Sequence, residues 1–248
     1  MNRRGFTLIE LLAVMSVLAI VGTLSIPAWA RARSKARAAV CASNLRQMYT
    51  AYMSYLSDHD GELFPFLEQT SEGRLWYWGL ERSAGGAEGN REIDRSRARL
   101  APYLAGGTVE TCPEFPYRMS FTKEKFEVNT YGYGLNHYLL RGTPANRSID
   151  LVNFTAAERL SHIIIWGDAA QVNTFQSPAS PSNPMIEEWY YLSHLEATYH
   201  FRHEGKVQVI MGDGAVRQLA PYRLLRICDG QIGYLEPNRK NDFLLPIR

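Results

Sequence analysis

Glu10 is the first residue whose chemistry conflicts with its surroundings. Between Phe6 and Ile26 every other side chain is apolar, small or hydroxylic. A carboxylate at the centre of a membrane helix costs about 2.5–3.5 kcal/mol, and Glu10, although nearer one end, still asks for a partner. His203 and Asp213 form a second pair to weigh, because a histidine beside an aspartate makes a general-base pair or part of a metal site. The residues between them, "EGKVQVIMG", argue against contact. A turn at Glu204-Gly205, a strand of about seven residues and a turn at Gly212-Asp213-Gly214 separate the two by roughly 20 Å. Asp213-Gly214 therefore reads as turn chemistry, and His203 as a packing or hydrogen-bonding residue at a strand end. His200 falls on the opposite strand face from His203 by parity, and the histidines lack a zinc-like ligand set. No catalytic residue and no metal ligand is expected.

Cys41, Cys112 and Cys228 cannot all pair within one chain, and one bridge plus one free thiol is the natural count for an exported protein. Cys41 begins an apolar stripe with Leu45, Met48, Tyr52 and Tyr55, whose spacing of three and four residues lines one helix face. Cys112 ends an irregular segment that must return to cover that stripe, while Cys228 sits beside Asp229-Gly230 in a turn-like setting. A Cys41 to Cys112 disulfide with Cys228 free is the expectation. It closes a loop of about 70 residues, worth roughly 4 kcal/mol in the chain-entropy model.

One helix has to carry both Glu10 and Cys41. The run from Phe6 to Ile26 makes a helix of ~31 Å, close to the ~30 Å hydrocarbon thickness of a bilayer. Beyond Pro27 the sequence is rich in Ala and Arg, both strong helix formers, so the spacing predicts a membrane-spanning and spine helix over residues 6–57. Asp58, Asp60, Gly61 and Pro65 end it. A removable signal peptide competes: Arg3 and Arg4 are a basic start, and "PAWA" offers a small-residue cleavage site after Ala30. The apolar stretch exceeds the ~7–15 residues of such peptides and leaves Glu10 unexplained.

Residues 58–248 read as a globular head. An aromatic and Gly-rich segment is followed by a short helix over Asp94–Leu104, ended or interrupted by Pro102. Strand patterns follow in "NTYGYGLNHYL", in the buried run "SHIIIWGD" and in a hairpin "KVQVIMGDGAVRQL"; "QSPASPSNP" is a surface loop between them. The C-terminal stretch reads as coil with a short helix near Tyr222. With 46% hydrophobic and 21% charged residues, the chain can bury one anchored domain of roughly 190 residues. A net charge of +2 sets up no strong field, so nucleic-acid binding is not indicated.

"RRGFTLIELL" resembles the processing site of type IV prepilins and type II secretion pseudopilins: a short basic leader (residues 1–5), Gly5, then Phe6-Thr7-Leu8-Ile9-Glu10. The resemblance implies that prepilin peptidase cuts after Gly5 and that Phe6 becomes N-methylated. It also implies that Glu10 answers the α-amine of a neighbouring subunit when helices pack in a filament. Pro27 falls where many of these proteins carry a helix-kinking proline. "RHEGKVQVIMGDGAV" is similar to the H-X9-DG signature, here His203, Asp213 and Gly214, of a bacterial group of pilin-like proteins. That group typically shows a Cys-Pro step, here Cys112-Pro113, and an "NLRQ" stretch on the spine, here Asn44–Gln47. The H-X9-DG region covers about residues 199–219.

The fold implied is α+β and pilin-like, a long N-terminal helix spine packed on a C-terminal antiparallel β-sheet head. The function implied is a structural subunit of a type IV pilus or a type II secretion system, not an enzyme. Its partners are the peptidase, other pilin or pseudopilin subunits and the bacterial inner membrane, with the head outside the cytoplasm or in an extracellular filament. Arg31, Arg33, Lys35 and Arg37 beyond the span outnumber Arg3 and Arg4, a departure from the positive-inside rule. No cofactor is expected. Calcium stays open, since major pseudopilins carry a loop calcium site and Asp168 and Asp213 both follow apolar strands. Calcium takes about six to eight oxygen ligands, however, and no EF-hand-like spacing supplies them. A competing function is an anchored surface module that binds or acts on glycans through aromatics in "LWYWGL" and "EEWYYL", such as Trp76 and Trp189.

Overall fold

Thr7 starts the first helix with a capping box. Its hydroxyl accepts from Glu10 N at 3.3 Å, and Glu10 Oε2 accepts from Thr7 N at 2.8 Å. The computed structural model describes residues 7–82, 87–140, 160–193 and 196–235. The leader, with Gly5 and Phe6, lies outside the described residues. The helix, α1 (Leu8–Asp58), is 51 residues long and continues through Pro27, whose ring removes the donor that the Thr23 carbonyl would otherwise receive. It ends where Asp60 and Gly61 adopt φ of 52° and 79°.

The two halves of α1 have opposite surroundings. Every large apolar side chain from Leu8 to Trp29 is exposed. Cys41, Asn44, Leu45, Met48, Ala51, Tyr52, Tyr55 and Leu56 are buried, which is the stripe that the spacing predicts, widened by Asn44, Ala51 and Leu56.

The head opens with a four-stranded antiparallel meander of β1 (Leu67–Thr70), β2 (Gly73–Trp76), β3 (Gly79–Glu81) and β4 (Ile93–Asp94). Next come β5 (Tyr133–Asn136) and β6 (Ile164–Asp168), then a hairpin of β7 (Ala170–Asn173) and β8 (Met185–Glu188) around the predicted Pro/Ser-rich loop. β9 (Tyr191–Leu192), β10 (Tyr199–His200), β11 (Val207–Met211), β12 (Val216–Leu219), β13 (Arg223–Leu224) and β14 (Ile232–Tyr234) complete the described strands. The central sheet has the order β12-β11-β6-β5-β9 and is antiparallel except for the β5–β9 edge. A small sheet β10-β14-β13 sits beside it. The architecture is thus α+β and pilin-like, a long helix followed by mostly antiparallel sheets.

Both faces of the central sheet are covered. Leu135, Trp166 and Ile210 pack with Leu45, Met48 and Tyr52 of the helix, and the Trp166 ring meets Tyr52 edge-on at 6.2 Å. Ile164, Leu192, Val207, Val209 and Met211 pack on the other side with Tyr199 and Phe201. A sheet buried on two faces explains why β6 reads as a continuous apolar run rather than an alternation. Two expectations are corrected. Residues 94–104 form two single 3-10 turns, Arg95–Arg97 and Ala101–Tyr103, because Pro102 stands where a longer helix would need a donor. The C-terminal stretch pairs as β13 and β14 instead of forming a helix near Tyr222.

Candidate functional site

Two places stand out against ordinary burial: the uncovered half of α1 and a cluster of polar groups where α1 meets the central sheet. In the first, Glu10 is the lone charge in an exposed apolar surface, and its carboxylate also takes the Thr7 hydroxyl at 2.8 Å. The capping box thus gives Glu10 a partner within its own chain. The basic run follows on the same helix, with Arg31, Arg33 and Lys35 exposed and Arg37 paired with Glu114 at 3.3 Å.

The buried cluster is built from four segments. Cys41 comes from α1, Cys112 from the loop before Pro113, Asp168 from the end of β6, and His203 from the turn between β10 and β11. Their ligand-type atoms all lie within 4.8 Å of one another. Gly167 makes the approach possible: a Cβ there would lie 2.8 Å from Val209 Cγ1, so only glycine lets β6 run this close to β11. The Asp168 carboxylate then accepts from Gln208 N at 2.8 Å, Arg202 Nη2 at 2.8 Å and Cys41 Sγ at 3.2 Å, and lies 3.4 Å from His203 Nε2. Cys112 Sγ is 3.6 Å from the same His203 nitrogen. Asn44, one turn along from Cys41, donates to the Glu110 carbonyl at 2.9 Å and to the Tyr133 hydroxyl at 3.1 Å, tying the Cys112 loop to the helix.

Charge in this cluster is compensated rather than solvated. Burial alone would raise the Asp168 carboxyl, but the Arg202 guanidinium and the hydrogen bond from His203 hold it well below the usual carboxylate range. Burial would lower the His203 imidazole, yet the hydrogen bonds with Asp168 and Cys112 push it up to about 9. Burial also opposes a Cys112 thiolate, and the Cys41 hydrogen bond and the Arg202 charge outweigh it, leaving that thiol well below its ordinary value. Cys41 goes the other way, raised by burial. Arg202 continues the network to His200 Nδ1 at 3.1 Å, and His200 Nε2 donates to Asp229 Oδ2 at 2.9 Å. Burial lowers the His200 imidazole, which fits a neutral ring accepting at one nitrogen and donating at the other.

The sequence-predicted residues are distributed unevenly. Cys41 and Cys112 are brought together, but both are free thiols, as is Cys228. The expected disulfide is replaced by contacts of Cys41 with Asp168 and of Cys112 with His203. His203 and Asp213 lie at opposite ends of β11. Asp213 caps its own turn by accepting from Ala215 N at 3.0 Å, and Gly214 at φ +78° lies against the Tyr49 ring of α1. Asp168 and Asp213 do not converge, and Asp168 is engaged by Arg202, so the structure assembles no calcium loop from them. Sequence reasoning missed the joining of Asp168, Arg202 and His203 with the two cysteines. The available signal was Asp168 itself, an acid placed directly after the apolar run "IIIWG" with nothing local to balance it.

The aromatic segments "LWYWGL" and "EEWYYL" meet inside the head. Trp78 stacks on Tyr190 at 3.7 Å and on Trp76 at 4.8 Å; Tyr77, Trp78 and Tyr190 are buried, and Trp76 and Trp189 are half-buried. These rings form core, which does not favour a glycan-stacking platform.

Residues 1–26 match the family model described as the prokaryotic N-terminal methylation motif. The chain is 35% identical over 59 residues to the type IV major pilin protein PilA of Myxococcus xanthus, a stretch covering 24% of this chain and 27% of that protein. It is 34% identical over 75 residues to the ComG operon protein 3 homolog of Bacillus licheniformis, covering 30% of this chain and 77% of that protein. The chain thus spans about a quarter of the pilin's length and about three quarters of the ComG relative's. No solved structure matches it.

Proposed function

This chain belongs to the family of prepilin-like proteins, and on that premise we propose that it is a membrane-anchored structural subunit of a type IV pilus or a type II secretion system. It enters the bacterial inner membrane as a prepilin, with its head outside the cytoplasm, is cut after Gly5 and is N-methylated at Phe6. The new amino terminus and the apolar half of α1 then pack against other subunits. This role requires no reaction of the protein's own.

One observation carries the proposal: the apolar face from Leu8 to Trp29 is uncovered all the way round. The helix satisfies its own backbone groups, so the surface needs only an apolar exterior, which a bilayer and then a bundle of like helices both provide. A water-soluble domain would not leave so long an apolar surface open. The test is the mature N-terminus by mass spectrometry. An N-methylated Phe6 is expected. A chain beginning at Arg31 would make the segment a discarded signal peptide, and an intact Met1 would mean that no prepilin processing occurs.

A further inference from the structure

We propose that Cys41, Cys112, Asp168 and His203 form a structural zinc site that clamps the spine helix to the head. Zinc bonds of ~2.3 Å to sulfur and ~2.0–2.2 Å to nitrogen and oxygen, arranged tetrahedrally, give ligand-to-ligand edges of about 3.3–3.8 Å. The edges here include 3.2 Å from Cys41 Sγ to Asp168 Oδ1, 3.4 Å from Asp168 Oδ2 to His203 Nε2 and 3.6 Å from His203 Nε2 to Cys112 Sγ. All four ligand atoms lie within 4.8 Å of one another, so bound zinc would draw the set inward onto those edges.

The way His203 is used separates a ligand set from a reactive one. In a relay of cysteine, histidine and aspartate, the thiol and the carboxylate engage opposite ring nitrogens. Here both approach Nε2, while Nδ1 is buried without a hydrogen-bond partner. One nitrogen aimed at a point shared with two sulfurs and a carboxylate is how an imidazole presents itself to a metal. All four residues are 2% exposed or less, so no substrate reaches them, which suits a closed structural site rather than a catalytic one.

The charge balance and the hydrogen bonds to Asp168 agree with this assignment. Two thiolates and one carboxylate bring three negative charges, and zinc together with the buried Arg202 guanidinium brings three positive ones, so the filled site is neutral in the interior. Binding releases the thiol protons and any imidazolium proton to solvent. Arg202 donates to Asp168 Oδ1 and Gln208 N to Oδ2, which fixes the orientation of the carboxylate. Sulfur and imidazole donors select a borderline-soft ion, whereas calcium or magnesium would require oxygen ligands. The H-X9-DG signature then acquires a physical division: His203 supplies a ligand, and Asp213-Gly214 sets the turn at the far end of β11 that docks on Tyr49.

The test uses the full-length chain extracted from membranes in detergent under reducing conditions. About one zinc per chain is expected by elemental analysis, and cobalt should replace it with a thiolate-to-metal charge-transfer absorption. Cys112→Ser and His203→Gln should lose the metal and the band, whereas Cys228→Ser should keep both. Because the ligand variants can fail to fold, the wild-type chain is also stripped with a chelator and resupplied, and its melting temperature should fall and then recover. A folded, reduced wild-type chain that takes up no zinc or cobalt overturns the proposal. So does a cobalt band that survives Cys112→Ser, or a Cys41 to Cys112 disulfide in protein alkylated before extraction. Metal content is read independently of the N-terminus, so this failure is distinct from failure of the assembly role.

Discussion

Leu18 and Leu45 sit on the same helix, yet Leu18 is 61% exposed and Leu45 is fully buried. Around Leu18 the surface is apolar and open. Around Leu45 the helix meets buried polar groups, with Asn44 and Cys41 beside it and Asp168 and Arg202 across from it. The first arrangement inverts what water favours and the second inverts what an apolar core favours. Each inversion needs a compensating environment, and the two differ in where it comes from. The open half depends on lipid or on neighbouring helices; the buried half depends on charges and hydrogen bonds brought in by the chain itself.

The largest effect should come from breaking the internal compensation. Arg202→Met leaves Asp168 charged and buried without its guanidinium, and removing one partner of a buried pair costs about 3–5 kcal/mol. Chemical unfolding of the full chain in detergent, followed by near-UV circular dichroism, measures it. A loss below ~1 kcal/mol would mean that the cluster is not what secures the helix to the head.

How much of this was legible follows from the range of the interactions. The helix, its stripe and the β11–β12 hairpin are encoded by local spacing, so Cys41, Leu45, Met48 and Tyr52 are recognisable as one face from sequence. The nearness of Cys41 and Cys112 followed from that face as well. Arg202 carries no such signal, being one of 27 basic residues, and it meets Asp168 only because β6 and β11 pair with Gly167 opposite Val209. Register between strands some forty residues apart is a tertiary outcome. The short strands β13 and β14 were equally hidden, since strands this short follow their neighbours more than their own propensity.

A matched pair on α1 sharpens the contrast at the next level of effect. Leu45→Ala opens a cavity under the head and should cost about 2–5 kcal/mol. Leu18→Ala should change head stability by less than ~0.5 kcal/mol, because its side chain touches nothing there. Its expected effect is a lower yield of chains retained in membranes or filaments, read by fractionation. Equal destabilisation of the head by both variants would break the division of α1 into an open half and a packed half.

The smallest effect on the head, and the finest distinction, belongs to Glu10. Two partners are on offer: Thr7 of the same chain, seen in the capping box, and the α-amine of a neighbouring subunit, which the proposed assembly requires. Glu10→Ala removes both. Membrane insertion should hold or improve because a charge is gone, head stability should stay within ~0.5 kcal/mol, and filament incorporation should fall. Glu10→Gln separates the two partners, since a glutamine at this position keeps the capping box but carries no charge. If Glu10 acts by neutralising an incoming amine, Glu10→Gln should fail in filament incorporation as badly as Glu10→Ala. Quantifying each variant in sheared filaments against its level in membranes decides between them. Recovery of incorporation by the glutamine variant would assign Glu10 to helix capping and remove the charge pair from the assembly model.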